Sequence, residues 1–486
     1  MAYTLNDLGK VFLSQLHQIT TGGDQTVPPS KDTFISWCEP GIPFMPEDFL
    51  FCAKGLGGGK DAEEDKLLVQ QAFNLANLID FIPDPRRTYN NDQQQTIFST
   101  SEARLSHLYG EILRFAKVVS YELSDKEKAK LEKFRNLLRT KKVVKDIITD
   151  EEKEVTEDGP VKKAYDTKMV EYIAAATEYN AKRIAAQSAM GPEGKQAVAD
   201  WTNNAQLYRL RVKAAMDAWV SSGYRNEVDQ MNAYINQVTQ RDLLLWKQRL
   251  QEFYEDADQN GLGAGQTFKY TTLIPGNFAA SNGWTNYSVN HSAVNSSSRS
   301  STSSWNAGAG VNFGLFSVGG GASGSSQKYS SNFGVSSFKL SFELAQVVIS
   351  RPWFYPEFFM NRGWTLRKGE GWTYADMPSD GQSPPNGNLV GYPTTILFAR
   401  NISIESAEFV SAYREFSKQV GGSASVGWGP FRLSGGYSHG SKGHDYNSDA
   451  KGATLKVPGM QIIGFVNHLI PQAPNPLPEL KDAEFN

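Results

Sequence analysis

The sequence predicts an α+β protein, an elongated α-helical N-terminal bundle followed by an internally duplicated antiparallel β-domain. Three observations carry that expectation. An ungapped repeat, offset by 115 residues, carries Ala309–Ser323 onto Ala424–Ser438. Residues 101 to about 256 keep apolar side chains at three- and four-residue spacing, the mark of amphipathic helices. Between Gln259 and Phe342 there is no Asp or Glu, and only Lys269, Arg299, Lys328 and Lys339 are charged.

Taken in order, residues 1–100 read as a mostly helical cap with loops. Leu5 to Leu16 and Asp65 to Ile82 have helical spacing; a Pro-rich stretch and the flexible Gly55–Lys60 lie between them. Residues 101–258 form the bundle. Leu105, Leu108, Ile112, Phe115 and Val119 make one stripe, continued by Leu131, Phe134, Leu137 and Leu138 before the charged, solvated run Lys141–Glu157. A second helix is expected from Val161 to Met190. A third, from Glu193 to Tyr254, is too long for one ordinary globular helix and is expected either to break near Ser221–Gly223 or to belong to an elongated bundle. The first β-repeat covers 266–356, an aromatic connecting segment 357–386, the second β-repeat 387–471, and a Pro-rich tail 472–486.

The bulk numbers exclude more than they assign. A chain of 486 residues implies two or three domains. A net charge of −3, from 49 basic and 52 acidic side chains, offers no electrostatic argument for nucleic acid. The N-terminus has no basic segment followed by an apolar one, and no run of about 18–20 apolar residues could cross a bilayer as a helix. Cytoplasmic synthesis is expected, with later release onto a target membrane left open. The two cysteines, Cys38 and Cys52, read as small buried thiols, too few for a zinc site without nearby histidine.

Each repeat contains a phase switch in its alternation. Ala307, Ala309, Val311 and Phe313 share one face, and after Gly314-Leu315 the apolar positions become Phe316 and Val318. A two-residue turn at Gly314-Leu315 predicts Phe313 opposite Phe316 and Val311 opposite Val318. In the second copy, Gly429-Pro430 predicts Trp428 opposite Phe431 and Val426 opposite Leu433. Asn306, Asn312, Ser317, Ser425, Arg432 and Ser434 take the other face. Trp305 to Phe313 has the length of a tilted strand that crosses a bilayer, which β-structure does only within a closed barrel.

In this uncharged, Ser/Gly-rich pattern the two ribbons resemble the inserting hairpins of β-pore-forming toxins. The resemblance covers the hairpins alone and implies a membrane-active, self-associating chain. Its membrane residues would be Trp305, Ala309, Val311, Phe313, Phe316 and Val318 in one hairpin and Val426, Trp428, Phe431 and Leu433 in the other. Half-buried sheets of proteins that never meet a membrane alternate in the same way, so the alternative is a non-enzymatic assembly protein with an oligomerising β-domain and a helical spacer. Either reading implies a homo-oligomer; a lipid membrane is a partner only in the first.

Motifs for chemistry are sparse. Asp256, Asp258 and Asn260, with Gly261 following, match the first half of an EF-hand loop, but Thr267 stands where a bidentate Glu is required. Such a loop would offer calcium Asp256, Asp258, Asn260 and the carbonyl of Leu262; otherwise the segment is a polar linker. Gly55–Lys60 lacks the first glycine of a phosphate loop, and Asp61 stands where Ser or Thr belongs. The six histidines are scattered, and no nucleophile elbow is present. No catalytic residue and no other cofactor is expected. Arg351, Trp353, Trp364 and Trp372 gather between the repeats, either as stacking anchors or as a binding surface for a carbohydrate, lipid headgroup or partner.

Overall fold

The computed structural model describes residues 3–4, 9, 12–13, 16, 32–84, 95–98, 103–119, 123–145, 152–187, 191–263, 265–290, 315–318, 327–330, 334–367, 369, 371–374, 376–382, 384–421, 425–439, 442–481 and 484–485. Helices and antiparallel sheets are both present, as α+β requires. The chain divides into two units, one built from Met1–Val118 with Lys247–Phe485 and the other from Val119–Trp246.

The first 118 residues are therefore not a helical cap standing alone. Thr33–Phe44 forms β1, a twelve-residue strand inside the large sheet. Its prolines made it read as loop. The ladder with its partner skips between Trp37 and Ile42, and this irregularity takes up Pro40, which has no N–H to give. Helix α1, Ala62–Ile79, starts at Asp61, whose carboxylate accepts the Glu63 and Glu64 amides at 3.1 and 2.8 Å. Its buried stripe is Leu68, Ala72, Leu75, Ala76 and Ile79. A short β2, Gln95–Ile97, runs parallel to β1, and α2 spans Leu105–Phe115.

The second unit begins with α3, Asp125–Leu138, whose Ser124 and Glu127 form a reciprocal cap. The charged run after it is a correction to the sequence reading. It folds as an antiparallel hairpin, β3 (Arg139–Lys145) with β4 (Glu152–Asp158). Arg139 stands opposite Asp158, and Lys142 pairs with Glu157 across the strands at 3.4 Å, which offsets the low strand propensity of this run. Helices α4, Pro160–Gln187, and α5, Gly191–Ser221, are 28 and 31 residues long. Trp219 stacks on Tyr172 with centroids 5.5 Å apart, and Lys182 pairs with Asp200 at 2.9 Å. The helical run does break after Ser221, giving α6, Arg225–Arg241. A second break falls at Asp242, whose carboxylate caps α7, Leu243–Asp256, by accepting the Leu244 amide at 2.9 Å.

The first unit resumes within α7 and continues as strands: β5 (Asp258–Asn260), β6 (Thr267–Lys269), β7 (Thr272–Ile274), β8 (Thr285–Asn290), β9 (Leu315–Val318), β10 (Gln327–Ser330), β11 (Lys339–Ser350) and β12 (Gly391–Glu405). Helix α8, Ala407–Val420, precedes β13 (Val426–Trp428), β14 (Phe431–His439), β15 (Lys442–Asn447), β16 (Asp449–Lys451) and β17 (Thr454–Leu469). Among the described residues the large sheet has eight strands, in order β8-β11-β12-β17-β1-β2, with β7 on β11 and β16 on β17. Among the described residues a separate sheet of five strands runs β10-β9-β13-β14-β15. Alternation sorts the side chains of β11 to two cores. Leu340, Phe342 and Leu344 face the core shared with the small sheet, and Val347 and Ile349 face the core covered by α1.

Strand β11 and the first part of β17 stand 115 residues apart in the chain. The pairs Tyr287–Phe342 and Asn290–Lys339 recur at that offset as Ile402–Val457 and Glu405–Thr454. Between the two hairpins so formed, Glu343 of β11 lies opposite Arg400 of β12. Its carboxylate accepts from Arg400 Nε at 2.6 Å and from Asn401 Nδ2 at 2.9 Å. The Asn401 hydrogen bond first, and then Arg400, hold the carboxyl below its ordinary pKa. A depressed carboxylate contributes stability above the unfolded value of about 4.3 and loses it as pH falls through the folded value. Glu343→Gln is expected to cost about 1 kcal/mol at pH 7 and almost nothing well below pH ~4, read as denaturation midpoints at the two pH values.

Candidate functional site

The hairpin residues singled out by sequence converge on the small sheet. In the second copy the turn at Gly429-Pro430 sets Trp428 opposite Phe431, as the phase switch requires. One register is corrected: a bulge between Val426 and Gly427 moves Val426 opposite Ser434 instead of Leu433. In the first copy, Trp305, Ala309, Val311, Phe313 and the turn residue Gly314 lie outside the described residues, while Leu315 is already in strand. Phe316 lies between Tyr329 and Trp428, and Val318 between Gln327 and Val426. Both edges of β9 are thereby filled by β10 and β13, and the expected partners Phe313 and Val311 lie outside the described residues. The two copies pair with each other, β9 against β13.

Helix α8 packs on the apolar face of this sheet, beside Phe12, Phe338 and Phe342. Its Phe409, Val410, Tyr413 and Phe416 recur at helical spacing and are all buried. Phe416 stacks on Phe316 with centroids 5.3 Å apart, and Phe409 meets Trp428 edge-on at 5.1 Å. Ser406 caps the helix by accepting the Phe409 amide, and Gly421 ends it at φ 84°, where glycine carries no Cβ penalty. Val426, Trp428, Phe431, Leu433 and Phe316 are each 1% exposed or less. As arranged, none of these five residues can touch lipid.

The polar face is also covered, which the alternation did not foretell. Arg432 is buried; its Nε donates to the Gly41 carbonyl at 3.1 Å, and its main chain exchanges hydrogen bonds with Gln461 at 2.7 and 3.2 Å. Gly427 lies so close to Pro40 and Ser317 that a Cβ there would collide with both. The irregularity in β1 thus seats the small sheet against the large one.

The calcium reading meets a different structure. Asp258 and Asn260 lie in a hairpin, opposite Lys269 and Thr267 in β5–β6. The Asp258 carboxylate is paired with Lys269 Nζ at 2.9 Å, Asp256 closes α7, and Leu262 is exposed. Among the described residues no three His, Cys, Asp or Glu side chains stand together as a metal-binding group. The aromatic surface is corrected too, since Trp353, Trp364 and Trp372 are buried. Trp364 packs on Phe358 at 4.8 Å and Trp372 donates to the Asp376 carbonyl at 3.2 Å, which makes them stacking anchors. Arg351 and Trp353 have a second setting, the wall of a cavity of about 340 Å³.

Both thiols are free, and burial raises their pKa values, so they are mostly protonated at neutral pH. No helix among the described residues is long and apolar enough to cross a membrane. No protein family, no curated protein and no solved structure matches the chain. Fold and side-chain geometry are what bear on its role.

Proposed function

We propose that this is a membrane-active, self-associating protein of β-pore-forming type, without enzymatic activity, whose β-region arose by duplication of one unit. The repeated register at the 115-residue offset supports the duplication. One observation carries the functional reading: pieces of both repeated hairpins pair edge to edge in a sheet of their own, with one amphipathic helix over its apolar face. That apolar side packs on α8 and also on Phe12, Phe338 and Phe342, so exposing it requires α8 to leave and the small sheet to part from those rings. Only a closed barrel satisfies its edges in lipid, so several chains would have to contribute.

Dye release from liposomes tests this, with wild type beside a variant carrying Val311→Asp and Val318→Asp. Wild type is expected to leak, and the folded variant to leak at least about ten-fold more slowly, since a carboxylate is unfavourable on a lipid-facing strand and ten-fold requires only about 1.4 kcal/mol. Liposomes that stay sealed at every pH and calcium level would overturn the proposal. Sealed liposomes with a discrete oligomer by light scattering would favour the assembly reading. One feature already leans that way: Val170 and Ile173 on α4, and Leu207 and Leu210 on α5, are at least 48% exposed within the helical unit.

A further inference from the structure

The cavity at Arg351 lies wholly within the first unit and apart from the hairpin sheet. Its floor holds the buried Phe268, Thr271 and Trp353, and exposed Arg104, His107 and Asp258 stand at its mouth. Three cations reach it from three places in the chain: Arg104 at the start of α2, Lys269 at the end of β6 and Arg351 just after β11.

The pairing of these groups is uneven. Lys269 is matched by Asp258 and lies 3.4 Å above the Tyr254 ring. Among the described residues, Arg351 donates to two neutral carbonyls, those of Pro393 at 2.7 Å and Ile79 at 3.0 Å. Arg104 donates to the side-chain oxygen of Asn77 at 3.0 Å. Among the described residues, neither guanidinium has a carboxylate within 4.0 Å. A planar guanidinium has five N–H donors, so each keeps spare ones. The other cavity carboxylate, Asp80, is turned to Ser106, accepting from its amide at 2.7 Å and its hydroxyl at 2.6 Å. Burial pushes the Asp80 pKa up and the Arg351 pKa down to about 10; the Asp80 charge partly offsets the effect on Arg351, and Ser106, Arg351 and Arg104 partly offset it on Asp80.

We propose that this cavity binds a phosphate group, carried by a free phosphate ester or by a phospholipid headgroup, between the guanidinium groups of Arg104 and Arg351. Two forks and a nearby ammonium exceed what the two oxygens of a carboxylate accept, and suit the oxygens of a phosphate. Ser106, Tyr254 and Asp258 would then meet the hydroxyls or amine of the group to which the phosphate is attached. Nothing in this assignment rests on the hairpins entering lipid.

The test is titration calorimetry of the full chain with inorganic phosphate and glycerol 3-phosphate, beside flotation with phosphatidylcholine vesicles with and without phosphatidic acid. Millimolar or tighter binding is expected, weakened about ten-fold or more by Arg104→Gln, which alters a surface hydrogen bond and leaves the core alone. Arg351→Lys, which keeps charge and loses the fork, is expected to weaken it as well. Glycerol 3-phosphate binding without flotation assigns a free ester; flotation that depends on both phosphatidic acid and Arg104 assigns a headgroup. No heat with either phosphate probe at about 10 mM, together with no Arg104-dependent flotation, overturns the proposal. So does binding that Arg104→Gln and Arg351→Lys leave unchanged.

Discussion

Trp428→Ala is expected to destabilise the β-unit by about 3–5 kcal/mol, the range for deleting a fully buried large aromatic. The indole is 1% exposed, with Phe338, Phe409 and Phe431 around it at centroid distances of 5.7, 5.1 and 6.2 Å. Its neighbours come from three separate segments: the approach to β11, helix α8 and the far side of its own turn. They cannot all close on the void, so both the transfer and the cavity contributions are lost. Phe316, opposite Trp428 on the neighbouring strand, also loses its cross-strand partner. The measurement is chemical denaturation, with Val170→Ala on the exposed face of α4 as the control, expected within about 0.5 kcal/mol of wild type. Because the chain has two units, only the transition of the β-unit should move. A loss below about 1 kcal/mol would mean that α8 and the hairpins do not share the core described above.

That core shows what local sequence could and could not reveal. The turn at Gly429-Pro430 was legible because a phase switch in alternation is a two-residue event, and the facing of Trp428 and Phe431 follows from it. Helix α8 carries local signals as well, Ser406 as its cap and the helical spacing of Phe409, Tyr413 and Phe416. The union of β9 with β13 was not legible, because alternation tells which face a side chain takes and nothing about which strand lies beside it. Strand β1 was hidden by Pro40 and Pro43, which a bulge and a single ladder position absorb once long-range partners exist. The hairpin β3–β4 was hidden by its charges, which stabilise it only after the strands pair. The cavity at Arg351 draws residues from Ala76 to Trp353 and was beyond any local pattern. Sequence gathered Arg351 with three tryptophans, and folding kept only Trp353 beside it there.

Pinning α8 to the unit beneath it is expected to abolish leakage if the hairpins act on membranes. Arg414 donates from its guanidinium to the Ala450 carbonyl at 2.8 Å, joining the exposed side of α8 to β16. Cysteines at both positions, from Arg414→Cys and Ala450→Cys, can be bridged by a reductant-cleavable thiol cross-linker; Ala450 is partly buried against the core, so the unbridged double variant is the reference for leakage. The native thiols should stay silent, since Cys38 is buried and burial raises the pKa of both. While bridged, α8 cannot leave, and Phe316 and Trp428 stay beneath Phe416 and Phe409. Dye release should then fall at least about ten-fold, the equivalent of 1.4 kcal/mol on the opening step, and return when reductant cuts the bridge. Both states have the same sequence, so a folding defect would not reverse with reductant. Leakage that the bridge leaves unchanged would separate membrane activity from the movement of α8. The exposed apolar side chains of α4 and α5 would then be the better candidates for what meets the bilayer or a second copy of the chain.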